Sequence, residues 1–246
     1  MKNRLRFLLI FPLCIISTAC YRADEYNNPD PDLLKLEHAD TPVTAVADGS
    51  TAVEIRAHIS QDAARGRRNV VFKTTLGSFQ EGKGDSLVRE ADENFTATAK
   101  LVSTNVGIAH ISAKAYGVTA KDKVMVDFQR ASPTSLTVSV DSFAISNRIN
   151  NELTITANAK LDKGRRPSAG TIVVFNVHYP SNPAGPLATA GSFVNNIRQA
   201  STDANGVARI RYSPGGVNYQ GNLTITATIP TLPDSVATTT VFLYRR

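Results

Sequence analysis

The chain contains no tryptophan, only two cysteines and two methionines, and a single short uninterrupted apolar run. Each shortage excludes something. With no tryptophan and aromatic residues at 7%, few flat platforms exist for gripping neutral sugar rings, and Tyr179 and Tyr219 are the only loop aromatics that suit that task. Two cysteines, Cys14 and Cys20, cannot build a cysteine cluster for a metal. No segment reaches the roughly 18 apolar residues that a membrane-spanning helix needs. Residues 20–246 show no apolar stripe at helical spacing, so helices are not expected there. The histidines, His38, His58, His110 and His178, include no pair at metal-ligand spacing, and His58 and His110 fall on the outward faces of alternating segments. No serine stands in a nucleophile elbow, since Gly191-Ser192-Phe193 has the pattern of a strand edge. We therefore expect no catalytic residue, no metal and no cofactor, and a protein that is not an enzyme.

What is present begins with a distinct N-terminus. Lys2, Arg4 and Arg6 precede the ten apolar-rich residues 7–16, followed by the small residues Ser17, Thr18 and Ala19. This is the layout of a secretory signal peptide, whose apolar core is too short to span a bilayer. The string ISTAC, ending at Cys20, resembles the lipobox of bacterial lipoproteins, with Ser17 where that pattern often has leucine. The resemblance implies cleavage after residue 19 and a lipid on Cys20, leaving no second cysteine for an intrachain disulfide. Several acyl chains at about 0.8 kcal/mol per buried methylene would hold the protein stably on a membrane. Residues 20–32 are polar and hold Pro29 and Pro31, as in a tether. The full chain carries 27 basic and 21 acidic residues, a net charge of +6 that falls to +3 without residues 1–19. Nothing in that charge calls for nucleic acid.

From residue 33 onward the pattern is alternation with period two. Val53, Ile55, Ala57 and Ile59 share one face, as do Leu153, Ile155, Ala157, Ala159 and Leu161. Segment 202–212, TDANGVARIRY, joins an Asp-Ala-Asn-Gly turn to such an alternation, and 221–228 continues it. A looser copy lies at 91–101, followed by 107–114. Two copies of one strand-and-turn cassette predict two similar domains, 33–130 and 131–246, each an all-β sandwich of about seven strands with a turn signal every eight to twelve residues. Residues 178–189 hold three prolines and a glycine and are predicted to be an irregular surface loop.

The shared order of these motifs resembles the bacterial immunoglobulin-like domains of the invasin and intimin type. The first half matches at Ala47, Asp48, Gly49, Val70, Phe72, Gly77, Asp92, Gly107, Ile111 and Ala113, and the second at Val173, Phe175, Gly191, Asp203, Gly206, Ala208, Gly221, Ile225 and Ala227. The first half departs at Phe95, where the turn glycine is expected, so its hairpin is predicted to be longer or differently shaped. The second half lacks a clear Ala-Asp-Gly. The resemblance implies two tandem immunoglobulin-like β-sandwiches serving as an extracytoplasmic spacer or adhesion module, and the lipobox at Cys20 adds the expectation of a lipid anchor at the outer membrane. An accessory glycan-binding surface lipoprotein is the alternative, and a surface glycan or protein is the expected ligand class.

Three further patterns bear on binding. Asp203-x-Asn205-Gly206 has the opening of a calcium loop, but its twelfth position is Pro214, so a plain turn is expected. A basic turn occurs twice, as Gly66-Arg67-Arg68 and Gly164-Arg165-Arg166, and both copies should project from the same end of their sandwiches. Paired arginines suit phosphate or anionic glycan, or else they are solvated turns. Asp85-Ser86-Leu87 and Asp234-Ser235-Val236 resemble a three-residue O-glycosylation signal.

Overall fold

The computed structural model describes residues 33–37, 42–61, 68–82, 84–180, 187–215 and 217–245. The signal sequence, Cys20, the tether, His38 and Arg67 lie outside the described residues. Residues Pro31–Arg246 form one compact unit, and within it the strands assemble into two sandwiches of two sheets each.

The first sandwich is built from β1 (Leu34–Leu36), β2 (Val43–Val46), β3 (Val53–Ile59), β4 (Asn69–Thr74), β5 (Ser78–Phe79), β6 (Ser86–Glu90), β7 (Thr96–Val102), β8 (Gly107–Ala115), β9 (Val118–Thr119) and β10 (Val124–Gln129). One sheet runs β1-β3-β7-β5; the other runs β2-β10-β8-β4-β6, with β9 against β8. The second repeats the plan with β11 (Ser135–Val140), β12 (Ala144–Ser146), β13 (Leu153–Lys160), β14 (Ile172–Pro180), β15 (Leu187–Thr189), β16 (Ser192–Phe193), β17 (Gln199–Ser201), β18 (Val207–Ser213), β19 (Gly221–Ile229) and β20 (Leu232–Tyr244). Its sheets run β11-β13-β18-β16 and β12-β20-β19-β14-β15, with β17 against β14. In both, the strand after the opening one crosses to the other sheet and pairs in parallel, β2 with β10 and β12 with β20. All other pairs are antiparallel.

Alternation explains the cores. In β3 every second side chain is buried, and β13 follows the same rhythm. Phe72, Phe79, Leu101, Ile111 and Phe128 fill the first core; Leu153, Ile155, Phe175, Tyr212 and Ile225 fill the second. Each such side chain contributes about 1.5–3 kcal/mol relative to exposure. These two separate clusters stabilise the sandwiches by packing.

The structure departs from the sequence expectation in strand number. Short edge strands β6, β12, β15 and β17 carry too few residues to register as periodic runs. The predicted irregular loop 178–189 is partly strand, because β14 continues to Pro180 and β15 returns with His178 opposite Thr189.

Phe95 brings a second correction. Its hairpin is neither longer nor reshaped: Phe95 adopts φ 60°, and Gly206 at the same place adopts 77°. The hydrogen bonds coincide. Asp92 N–H donates to the Thr96 carbonyl at 3.0 Å as Asp203 N–H donates to Val207 at 2.9 Å, and each aspartate Oδ1 accepts two backbone N–H groups of its own turn. A phenylalanine in the left-handed region is strained. Its ring packs against the first core and beneath Arg68, whose guanidinium carbon lies 4.4 Å from the ring centroid.

Candidate functional site

The densest buried polar chemistry lies where the two sandwiches meet. At the end of β2 the chain turns through Ala47-Asp48-Gly49, and Asp48 is buried. Its Oδ1 accepts the N–H groups of Ser50 at 2.8 Å and Thr51 at 2.6 Å, and its Oδ2 accepts the Thr51 hydroxyl at 2.8 Å. From the second sandwich Arg165 donates to the same Oδ2 at 3.0 Å. Burial alone would raise the Asp48 carboxyl; the N–H donors of Thr51 and Ser50, with the Thr51 hydroxyl, outweigh it and bring the pKa down to about 2. At neutral pH the site is a charged socket for a guanidinium.

Three residues on, Ser168 is fully buried. Its hydroxyl donates to the Ala47 carbonyl at 2.9 Å and accepts the Ala131 N–H at 2.8 Å, while its own N–H donates to the Ala131 carbonyl at 3.0 Å. Ala169 N–H donates to the Thr104 carbonyl at 2.8 Å. One segment, 165–169, is thus bonded to the first sandwich at three places and to the link between β10 and β11 at Ala131. Local sequence order sets this up: Pro167 follows two arginines and presets an extended backbone, so Arg165 and Ser168 both reach the socket.

The two basic turns therefore differ. Arg165 is engaged by Asp48, and Arg68 lies over Phe95 with its Nε buried and without a hydrogen-bond partner among the described residues. Arg166 is exposed and borders an interdomain cleft of about 350 Å³, shared with Ser78, Ser103, Thr104 and Asn105. Sequence inspection found both arginine pairs and the Ala-Asp-Gly turn, but not that one answers the other.

Tyr179 and Tyr219 come together, with ring centroids 4.7 Å apart, and both pack on the second core. The two rings are tilted by 32° to each other. Gly191-Ser192-Phe193 does sit at a strand edge, in β16. Asp203 uses Oδ1 on the N–H groups of Asn205 and Val207, which with Arg209 and Arg166 hold its carboxyl below the usual range. His58 is outward and lies 2.6 Å from Glu37 and 2.9 Å from Thr96. Ser86 is exposed, whereas the Ser235 hydroxyl is buried and has no partner among the described residues, so only the former presents an accessible hydroxyl.

No protein-family profile and no curated protein matches the sequence. Among solved structures, the Yersinia pseudotuberculosis adhesin InvE is similar at TM-score 0.50 and 20% identity, over 87% of this chain and 59% of that one. InvD of Yersinia pseudotuberculosis is similar at TM-score 0.40 and 16% identity, over 88% and 59%. Invasin, described as a bacterial integrin-binding protein, is similar at 0.39 and 20%, over 88% and 40%. The chain thus spans less than two thirds of the length of each. The likeness to InvE is one of fold, an all-β chain of immunoglobulin-like sandwiches.

Proposed function

We propose that this chain is a lipid-anchored envelope protein whose two immunoglobulin-like domains, 33–130 and 131–246, act as one stiff spacer or adhesion module. The observation that carries the reading is the junction: one charge-assisted bond, Arg165 to the buried Asp48 carboxylate, and two buried neutral bonds of Ser168, to Ala47 and from Ala131, join the sandwiches. A hinge built for relative motion would leave such groups in water. Adhesion is what the name of InvE describes for that protein; here it is part of the proposal, with a protein or surface glycan as ligand. Cys20 would carry the lipid, and a tether of a dozen residues would reach at most about 40 Å from the membrane.

Cell fractionation tests the anchor. The wild-type chain is expected in the outer-membrane fraction and Cys20→Ala in the soluble periplasmic or secreted fraction. Identical partitioning of the two would overturn the lipid assignment, and protease shaving of intact cells reports which side the module faces.

A further inference from the structure

The two sandwiches share topology but not charge. Residues 33–130 hold 13 basic and 12 acidic side chains, whereas 131–246 hold ten and five. The difference shows on equivalent sheet faces. On the outer face of the first, Lys100 of β7 stands opposite Glu54 of β3, and Arg56 is bonded to Glu54 at 2.6 Å. On the second, Arg211 of β18 stands opposite Thr154 of β13, and Arg209 opposite Thr156. Ser139 of β11 extends the Thr156 row, and Thr137 stands opposite Asn158 on the same sheet. The result is a flat face of hydroxyl and amide groups crossed by two arginines.

A groove runs beside them. It has a volume of about 250 Å³ and is walled by Thr154, Arg209 and Arg211 on one side and Val194, Asn195 and Ile197 on the other. The second wall is held by Asn195 and Asn196, both in the left-handed region at φ 59° and 56°. Such conformations are tolerated by asparagine and here turn the chain back over β18. Arg211 lies 2.9 Å from Glu152, and Arg209 3.9 Å from Asp203. Both arginine side chains remain 61% exposed, so these pairs are surface contacts that a multivalent anion can displace. Successive outward residues of one strand stand about 6.8 Å apart, which gives repeated contact to a linear polymer rather than to a single small anion. Arg166, whose charge also acts on Asp203, continues the strip toward the interdomain cleft.

We propose that this face of the second sandwich binds an acidic polysaccharide. Arg209 and Arg211 take its carboxylate or sulfate groups in forked hydrogen bonds, and Thr154, Thr156 and Asn158 meet its hydroxyls. The assignment rests on the adhesion reading and narrows its surface-glycan ligand to an acidic one, while its test, on one face of one sandwich, is separate from that of the lipid anchor.

The test uses the purified full chain on heparin-agarose, with soluble heparin and poly-glutamate as competitors. The wild type should be retained at about 0.15 M salt, where surface charges are already screened beyond roughly 8 Å. Arg209→Ser with Arg211→Ser should lower heparin affinity about tenfold or more. Thr156→Glu, which keeps both arginines and sets a carboxylate opposite Arg209, should lower it in the same direction. Arg148→Ser with Arg245→Ser removes equal charge elsewhere and should leave affinity within twofold. Equal loss in that control would reduce the effect to net charge and overturn the site. Failure of the wild type to bind would do so as well, and equal competition by poly-glutamate would overturn the polysaccharide assignment.

Discussion

Phe95 and Gly206 occupy the same corner of the same hairpin with opposite compensations. Gly206 accommodates φ 77° freely, and a Cβ there would lie 2.4 Å from the Ala159 carbonyl oxygen. Phe95 bears the cost of its left-handed backbone, about 1 kcal/mol or somewhat more, and offsets it with ring burial and the Arg68 contact. The two terms separate by substitution. Phe95→Ala keeps the strain and loses the ring, so chemical denaturation should show a loss of about 2 kcal/mol. Phe95→Gly loses the ring and the strain together and should cost about 1 kcal/mol less than the alanine variant. Equal costs for the two would mean that the backbone at Phe95 is unstrained. The sequence flagged this position as a departure from the repeat but could not say how it would be resolved, because backbone strain and its compensation by a distant arginine are not local properties.

At the scale of elements, the Ala-Asp-Gly turn after β2 is the most consequential. Asp48 has a folded pKa of about 2 against an ordinary 3.8. A depressed carboxyl stabilises the fold above its unfolded pKa, and that stabilisation disappears as pH falls through the folded value. The depression of nearly two units corresponds to roughly 2.5 kcal/mol. Asp48→Asn keeps the Oδ1 acceptor and lacks the titration. The stability gap between wild type and Asp48→Asn should therefore shrink by about 2 kcal/mol between pH 5 and pH 2 in urea melts. A gap that stays constant would mean that Asp48 titrates normally. The long strands around this turn were legible, since β3, β7, β13 and β18 carry enough alternating residues to declare their buried faces. Short elements such as β12 and β17 were not, because three residues contain barely one period of alternation and their strand character comes from the neighbour they pair with.

The behaviour of the whole molecule turns on whether two cores melt as one. Each sandwich has its own hydrophobic cluster, and only the junction can couple them. Ser168→Ala strands the buried Ala47 carbonyl and Ala131 N–H, which costs about 2–3 kcal/mol. Calorimetry of the wild type should give one transition, and Ser168→Ala should give two or a visibly broadened one. Distances between spin labels placed on the two sandwiches should broaden in parallel. A single sharp transition in the variant would show that the coupling lies elsewhere. The sequence by itself determined the all-β class, the repeat, the inward faces and the Asp-Asn-Gly hairpin, since all of these rest on period-two alternation and turn chemistry within a few residues. Only the tertiary structure decided that Arg165 serves Asp48, a residue 117 positions away, that Tyr179 and Tyr219 close on each other, and that Arg209 and Arg211 stand across the sheet from Thr156 and Thr154. Those pairings depend on which strands lie side by side and which ends abut, and the free energy that sets them is shared across the packed cores.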